Sequence, residues 1–160
     1  MGRLAASTAA VVFAALALSG CATAQPAAPT IDSTEAAAEY QPVMDDVLAA
    51  LTEAYPSVIW SAGDSTDRVL AGNSDEPCSL WLADQQAQDL PGAAGGWSEV
   101  MQVLNPVLEE HGFSTVTDED SIDGGFTGIS SRDETGAELR LVDKMSTEIS
   151  LEIDVTDTGC

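Results

Sequence analysis

The segment Thr147-Glu148-Ile149-Ser150-Leu151-Glu152-Ile153-Asp154-Val155 decides how this chain folds. Ile149, Leu151, Ile153 and Val155 alternate with Ser150, Glu152 and Asp154, and a period of two sends the two sets to opposite faces of an extended strand. One apolar and one charged face is the signature of an antiparallel sheet covered on one side and solvated on the other. Working backwards, Ala137 to Val142, Gly125 to Ser131 and Phe113 to Thr117 also read as strands, with Glu134-Thr135-Gly136 as a hairpin turn. Earlier still, Ser57 to Ala62, with Val58, Ile59 and Trp60, is a short strand candidate, and Arg68 to Ala71 continues the sheet after a turn at Gly63-Asp64. Residues 72–77 are loop by composition, and Cys78-Ser79-Leu80-Trp81-Leu82 returns to strand.

Two segments carry a helical period instead. From Glu35 to Tyr55, Val43, Met44, Val47, Leu48, Leu51 and Tyr55 recur at spacings of three and four on one face. Pro42 suits a first helical turn, so residues 35–41 are expected to form a separate or frayed turn, and Pro56 ends the helix. The second helix places Trp97, Val100, Val103, Leu104, Val107 and Leu108 on one face, with Ser98 as N-cap, Glu99 in the first turn and Gly112 as the left-handed terminator. Pro106 predicts a bend near Asn105. Two helices with five or six strands predict an α+β fold, a single antiparallel sheet with both helices packed on one face. The domain is expected to span residues 35–160, enough chain for one core.

The opening of the chain has a different character. Arg3 precedes an apolar stretch from Leu4 to Leu18, followed by Ser19, Gly20 and Cys21, the charged, apolar and small-residue order of a secretory signal peptide. The stretch is shorter than the roughly 18 to 20 residues a bilayer span requires. Leu18-Ser19-Gly20-Cys21 resembles the lipobox of bacterial lipoproteins. That resemblance implies cleavage after residue 20, a diacylglyceryl group on the Cys21 sulfur, and a protein held at the outer face of the cytoplasmic membrane. Two acyl chains satisfy the condition for stable anchoring. The alternative is an ordinary secreted protein cut near Ala22 or Ala24. Residues 22–34, with Pro26 and Pro29 and no apolar period, read as an extended tether of at most about 40 Å at about 3.1 Å per residue. The overall layout, with a helix ending in the Gly112-Phe113 step and a late cysteine, is also similar to that of small actinobacterial envelope lipoproteins of unknown function.

Loss of residues 1–20 removes Arg3 and no acid, leaving Arg68, Arg132, Arg140 and Lys144 against 27 acidic residues, a formal charge of −23. Such a surface repels phosphate backbones and anionic headgroups, which argues against nucleic-acid binding and leaves the lipid to hold the membrane. With Cys21 committed to lipid, Cys78 and Cys160 remain in an oxidising compartment and are expected to form a disulfide closing a loop of about eighty residues.

Candidate chemistry is sparse. Counted from Asp118, the acidic run through Gly125 puts Ile122 and Ile129 where a helix-loop-helix calcium site needs its fifth and twelfth ligands, so a solvated loop is the expected reading. His111, the only histidine, sits at a helix C-terminus where an imidazolium interacts well with the dipole. No metal or cofactor is expected, and no nucleophile elbow surrounds the serines. Trp60, Trp81 and Trp97 are either core residues or an aromatic binding platform. The functional expectation is a non-enzymatic module binding a partner protein or a small envelope ligand. A cell-wall-acting enzyme or accessory, which would need a cleft joining His111 to a buried acid, and a lipid or glycolipid carrier, which would need an apolar cavity, are the alternatives.

Overall fold

The computed structural model describes residues 28–63, 66–71 and 77–160; the segments expected to be signal peptide and lipobox, and most of the expected tether, lie outside these. In chain order the elements are α1 (Ser33–Ala54), β1 (Ser61–Ala62), β2 (Arg68–Leu70), β3 (Cys78–Trp81), β4 (Gln85–Ala87), α2 (Leu90–Ala94), α3 (Trp97–Glu110), β5 (Asp120–Ile122), β6 (Phe126–Arg132), β7 (Glu138–Asp143) and β8 (Thr147–Val155). The class is α+β, and the eight-stranded antiparallel sheet is larger than the five or six strands expected.

β8 is the hub. Its strict alternation lets it pair on both sides, with β7 against residues 147–152 on one and with β3 and β4 sharing the other, β3 against residues 152–155 and β4 against 147–149. β6 and β5 extend the sheet beyond β7, β2 adds to β3, and β1 adds to β4. The apolar set of β8, Ile149, Leu151, Ile153 and Val155, is at most 3 % exposed and aligns in register with Leu141, Leu139, Leu80 and Cys78. Onto that face pack α1, against β8 and β3, and α3, against α1 and β6. Met44, Val47 and Leu51 from α1 and Val100, Leu104 and Leu108 from α3 fill the space between the layers.

Several elements differ from expectation for identifiable reasons. α1 runs unbroken through Pro42, because Asp32 caps it by accepting from the Thr34 and Glu35 amides, and because Pro42 and Ala38 both face solvent. Water can therefore satisfy the Ala38 carbonyl that the proline leaves without a donor. α3 continues through exposed Pro106, as expected, with Gln102 also exposed. Its cap position is Gly96 rather than Ser98, with no side-chain capping bond, and the short α2 was not foreseen. Gly112 does take the left-handed conformation, φ +77°.

Val58 to Trp60 is not strand; only Ser61–Ala62 pairs, with the unforeseen β4. Phe113 to Thr117 is not strand either. Phe113 and Val116 are buried, the Asn105 side chain clasps both backbone groups of Val116, and Ser114 N–H donates to the Arg132 carbonyl. The edge of β6 is taken instead by Asp120–Ile122, inside the run expected to be a solvated loop. On the other side of β6, Gly128 permits close pairing with β7, since a Cβ would lie 2.5 Å from the Leu141 carbonyl oxygen.

The two ends of the described chain meet at the Val155 end of β8. Thr156 N–H donates to the Ile31 carbonyl, and Asp157 accepts from both the backbone N–H and the hydroxyl of Ser33. Cys78 and Cys160 are joined as a disulfide, with Cα atoms 6.3 Å apart across a sequence separation of 82. The segment expected to be free tether up to Thr34 is thus fixed to the domain from Ile31 onward.

Candidate functional site

No described element covers the face of the sheet opposite the helices, and the composition of that face follows from the parity of the strands. Arg140 lies between buried Leu139 and Leu141, so it points away from the core, as do Ser150 and Ser130 in register with it on β8 and β6. One cross-strand row reads Arg68, Trp81, Glu152, Glu138, Arg132. Lys144 joins the same face at its edge, donating to the Gly124 carbonyl at 2.7 Å and lying 4.8 Å over the Phe126 ring. All four basic residues that follow Cys21 therefore stand on this face, whereas α1 and α3 carry acids and no Lys or Arg.

Their partners differ. Arg132 pairs with Glu138 at 2.9 Å, and Arg68 stacks over Trp81 with its guanidinium carbon 5.8 Å from the ring centroid. Arg140, Ser150 and Glu152 are half-buried, and none of their side chains has a hydrogen-bond or ion-pair partner among the described residues. A guanidinium fork and a carboxylate on adjacent strands, one step apart diagonally, are thus both open to solvent-side partners. Nearby, burial and then the Asp84 charge push the Glu148 carboxyl above its ordinary range, with Arg68 acting in the opposite sense.

A second grouping lies at the tether end. Ile31, Tyr40, Glu134, Thr135, Ile153 and Asp154 border a groove of about 320 Å³. The Tyr40 hydroxyl donates to Asp133 at 2.5 Å and lies 2.9 Å from the Thr135 hydroxyl. The other Asp133 oxygen accepts from the Thr135 hydroxyl and from the amides of Thr135, Gly136 and Ala137. This carboxylate organises the β6–β7 turn, and Tyr40 pins that turn to α1. Burial, followed by the hydrogen bond to Asp133, pushes the Tyr40 hydroxyl up to about 12 from its ordinary 10.0. A raised folded-state value favours the neutral phenol, so the stabilisation is complete below pH 10 and is lost as pH rises towards 12. The expected result is a loss of about 2 kcal/mol across that window, measured by denaturant unfolding at stepped pH and strongly reduced in Tyr40→Phe. An equally steep alkaline loss in the variant would contradict the assignment.

The remaining candidates take structural positions. Trp97 is buried and donates from Nε1 to the Thr127 hydroxyl at 2.9 Å. Trp60 packs partly against the core, and its buried Nε1 has no partner among the described residues. Trp81 alone stands on the open face. His111 Nε2 lies 2.8 Å from Asp46 Oδ2, joining α3 to α1 through a carboxylate that is 61 % exposed, so its ring serves helix packing rather than only the helix terminus expected for it. Among the described residues no cluster of three or more His, Cys, Asp or Glu is placed to hold a metal ion. No helix among them is long and apolar enough to cross a membrane. Cys21 lies outside the described residues.

Arg140 and its neighbours escaped the sequence reading, although the signal was present. A charged residue between Leu139 and Leu141 carries the same alternation as β8, and aligning the two strands brings Arg140 beside Ser150 and Glu152.

No protein-family model and no curated protein matches the sequence. Among solved structures, the fold is similar to that of LppA, a candidate lipoprotein from Mycobacterium tuberculosis, with a TM-score of 0.55 at 12% identity over 77% of this chain and 76% of that one. A DUF4853 family protein from Actinomyces odontolyticus aligns with a TM-score of 0.42 at 12% identity over 76% of this chain and 69% of that one.

Proposed function

We propose that this protein is a lipoprotein of the bacterial envelope, held at the outer face of the cytoplasmic membrane by acyl chains on Cys21, whose α+β domain is a non-enzymatic binding module. The observation that carries the reading is Leu18-Ser19-Gly20-Cys21 directly behind a charged and apolar leader. The fold shared with a candidate lipoprotein supports it. Ile31 and Ser33, the described residues that follow the expected tether, are held at the Val155 end of β8 by Thr156 and Asp157.

A binding role fits the open face better than catalysis fits His111, whose acidic partner is solvent-exposed. The space between helices and sheet is filled by side chains such as Met44, Leu51, Leu104 and Leu151, which favours a binding module over a lipid carrier. The test of the anchor is Cys21→Ser. It should abolish incorporation of labelled palmitate and leave the chain unprocessed or released from the membrane fraction, whereas undiminished labelling would overturn the proposal.

A further inference from the structure

The open sheet face is built for a particular ligand chemistry. Resting on the reading of this domain as an extracytoplasmic binding module, we propose that Trp81, Glu152, Ser150, Arg140 and Ser130 form a site for a hydroxyl-rich sugar bearing one carboxylate. Arg140 and Glu152 have opposite charge and lie on adjacent strands, yet they form no ion pair with each other or with any other described residue. Half-buried groups in that condition keep unused hydrogen-bonding capacity. The guanidinium calls for an acceptor of fork geometry, which a carboxylate supplies. Glu152 calls for donors, which sugar hydroxyls and amides supply; the Ser150 hydroxyl serves either role, and the Ser130 hydroxyl, which donates to Asp120 at 3.4 Å, serves as an acceptor.

Trp81 stands in register with Glu152 and supplies, through the ring face that Arg68 does not cover, an apolar platform at the other end of the site. From strand spacing and rise, Trp81 and Arg140 are about 12 Å apart at Cα, a span that one or two sugar rings cover. Charge narrows the class further. All four cations share this face, but the domain around it is strongly acidic, so a polyanion is repelled while a single negative charge is met locally by Arg140.

The experiment is calorimetric titration of the mature lipidated protein, in a zwitterionic detergent without sugar, with N-acetylmuramic acid and with N-acetylglucosamine, which lacks the carboxylate. The expected result is tighter binding of the acid, reduced about tenfold by Arg140→Gln, the loss typical of one charge-assisted hydrogen bond. Trp81→Ala should weaken both sugars. Arg140→Lys, which keeps the charge without the fork, should give an intermediate loss and guards against a folding defect in the glutamine variant. Equal affinity for the two sugars, no heat with either, or unchanged affinity in both Arg140 variants overturns the proposal. Mass spectrometry of the same preparation reads the state of Cys21. Failure to bind with Cys21 acylated removes the ligand class alone, and an unacylated N-terminus removes the reading beneath it.

Discussion

Replacing Cys78 and Cys160 together with alanine should lower the stability of the domain by about 4 kcal/mol, the loop-closure entropy expected for a cross-link between residues 82 apart. Net stabilities of single domains are of order 5 to 15 kcal/mol, so the variant should be left marginal and its melting temperature should fall by well over 10 °C. The effect has a local component as well. Cys160 holds the last five residues beside the tether, where Thr156 bonds Ile31 and Asp157 accepts from Ser33 at the start of α1. Without the cross-link that clasp is secured by hydrogen bonds alone, and hydrogen exchange at Ser33 and Thr156 should rise before the sheet opens. Calorimetry with and without reductant checks the first statement. A melting temperature unchanged by the double substitution would refute it.

The second large effect belongs to Leu151. It is fully buried at the middle of β8, in register with Leu139 on β7, and its carbonyl accepts from the Leu82 amide. Leu151→Ala should cost about 3 kcal/mol, combining lost apolar burial with a cavity that flanking strands hold open. Glu152→Ala, one residue along and on the uncovered face, should change stability by less than about 0.5 kcal/mol. Denaturant unfolding of both variants tests the assignment of faces as well as the magnitude. Similar losses at the two positions would mean that the sheet is covered on both sides.

The alternation in β8 was enough to establish an antiparallel sheet with one solvated side, because a period of two is a direct imprint of burial on sequence. The apolar stripes of α1 and α3 were legible for the same reason. What escaped was structure made without apolar period. β4 is Gln85-Gln86-Ala87 and β5 is Asp120-Ser121-Ile122, three-residue strands recruited by the edges of β8 and β6. Conversely, Phe113 and Val116 are apolar and buried yet lie in a loop, because Asn105 satisfies the backbone that a strand would have paired. Pro42 misled: a proline on the solvent side of a helix leaves a carbonyl that water can satisfy, and exposure is a tertiary property that a local reading of Pro42 does not contain. The open face was partly legible. Arg140 could be assigned a side from Leu139 and Leu141, but that its neighbours leave it without an ion pair depends on register across three strands.

Lipid anchoring fixes the identity of the mature N-terminus, and intact-mass and N-terminal peptide analysis of protein extracted from membranes tests it most directly. The predicted species begins at Cys21 and carries a diacylglyceryl group on its sulfur. A soluble, unmodified chain beginning at Ala22 or Ala24 would contradict it.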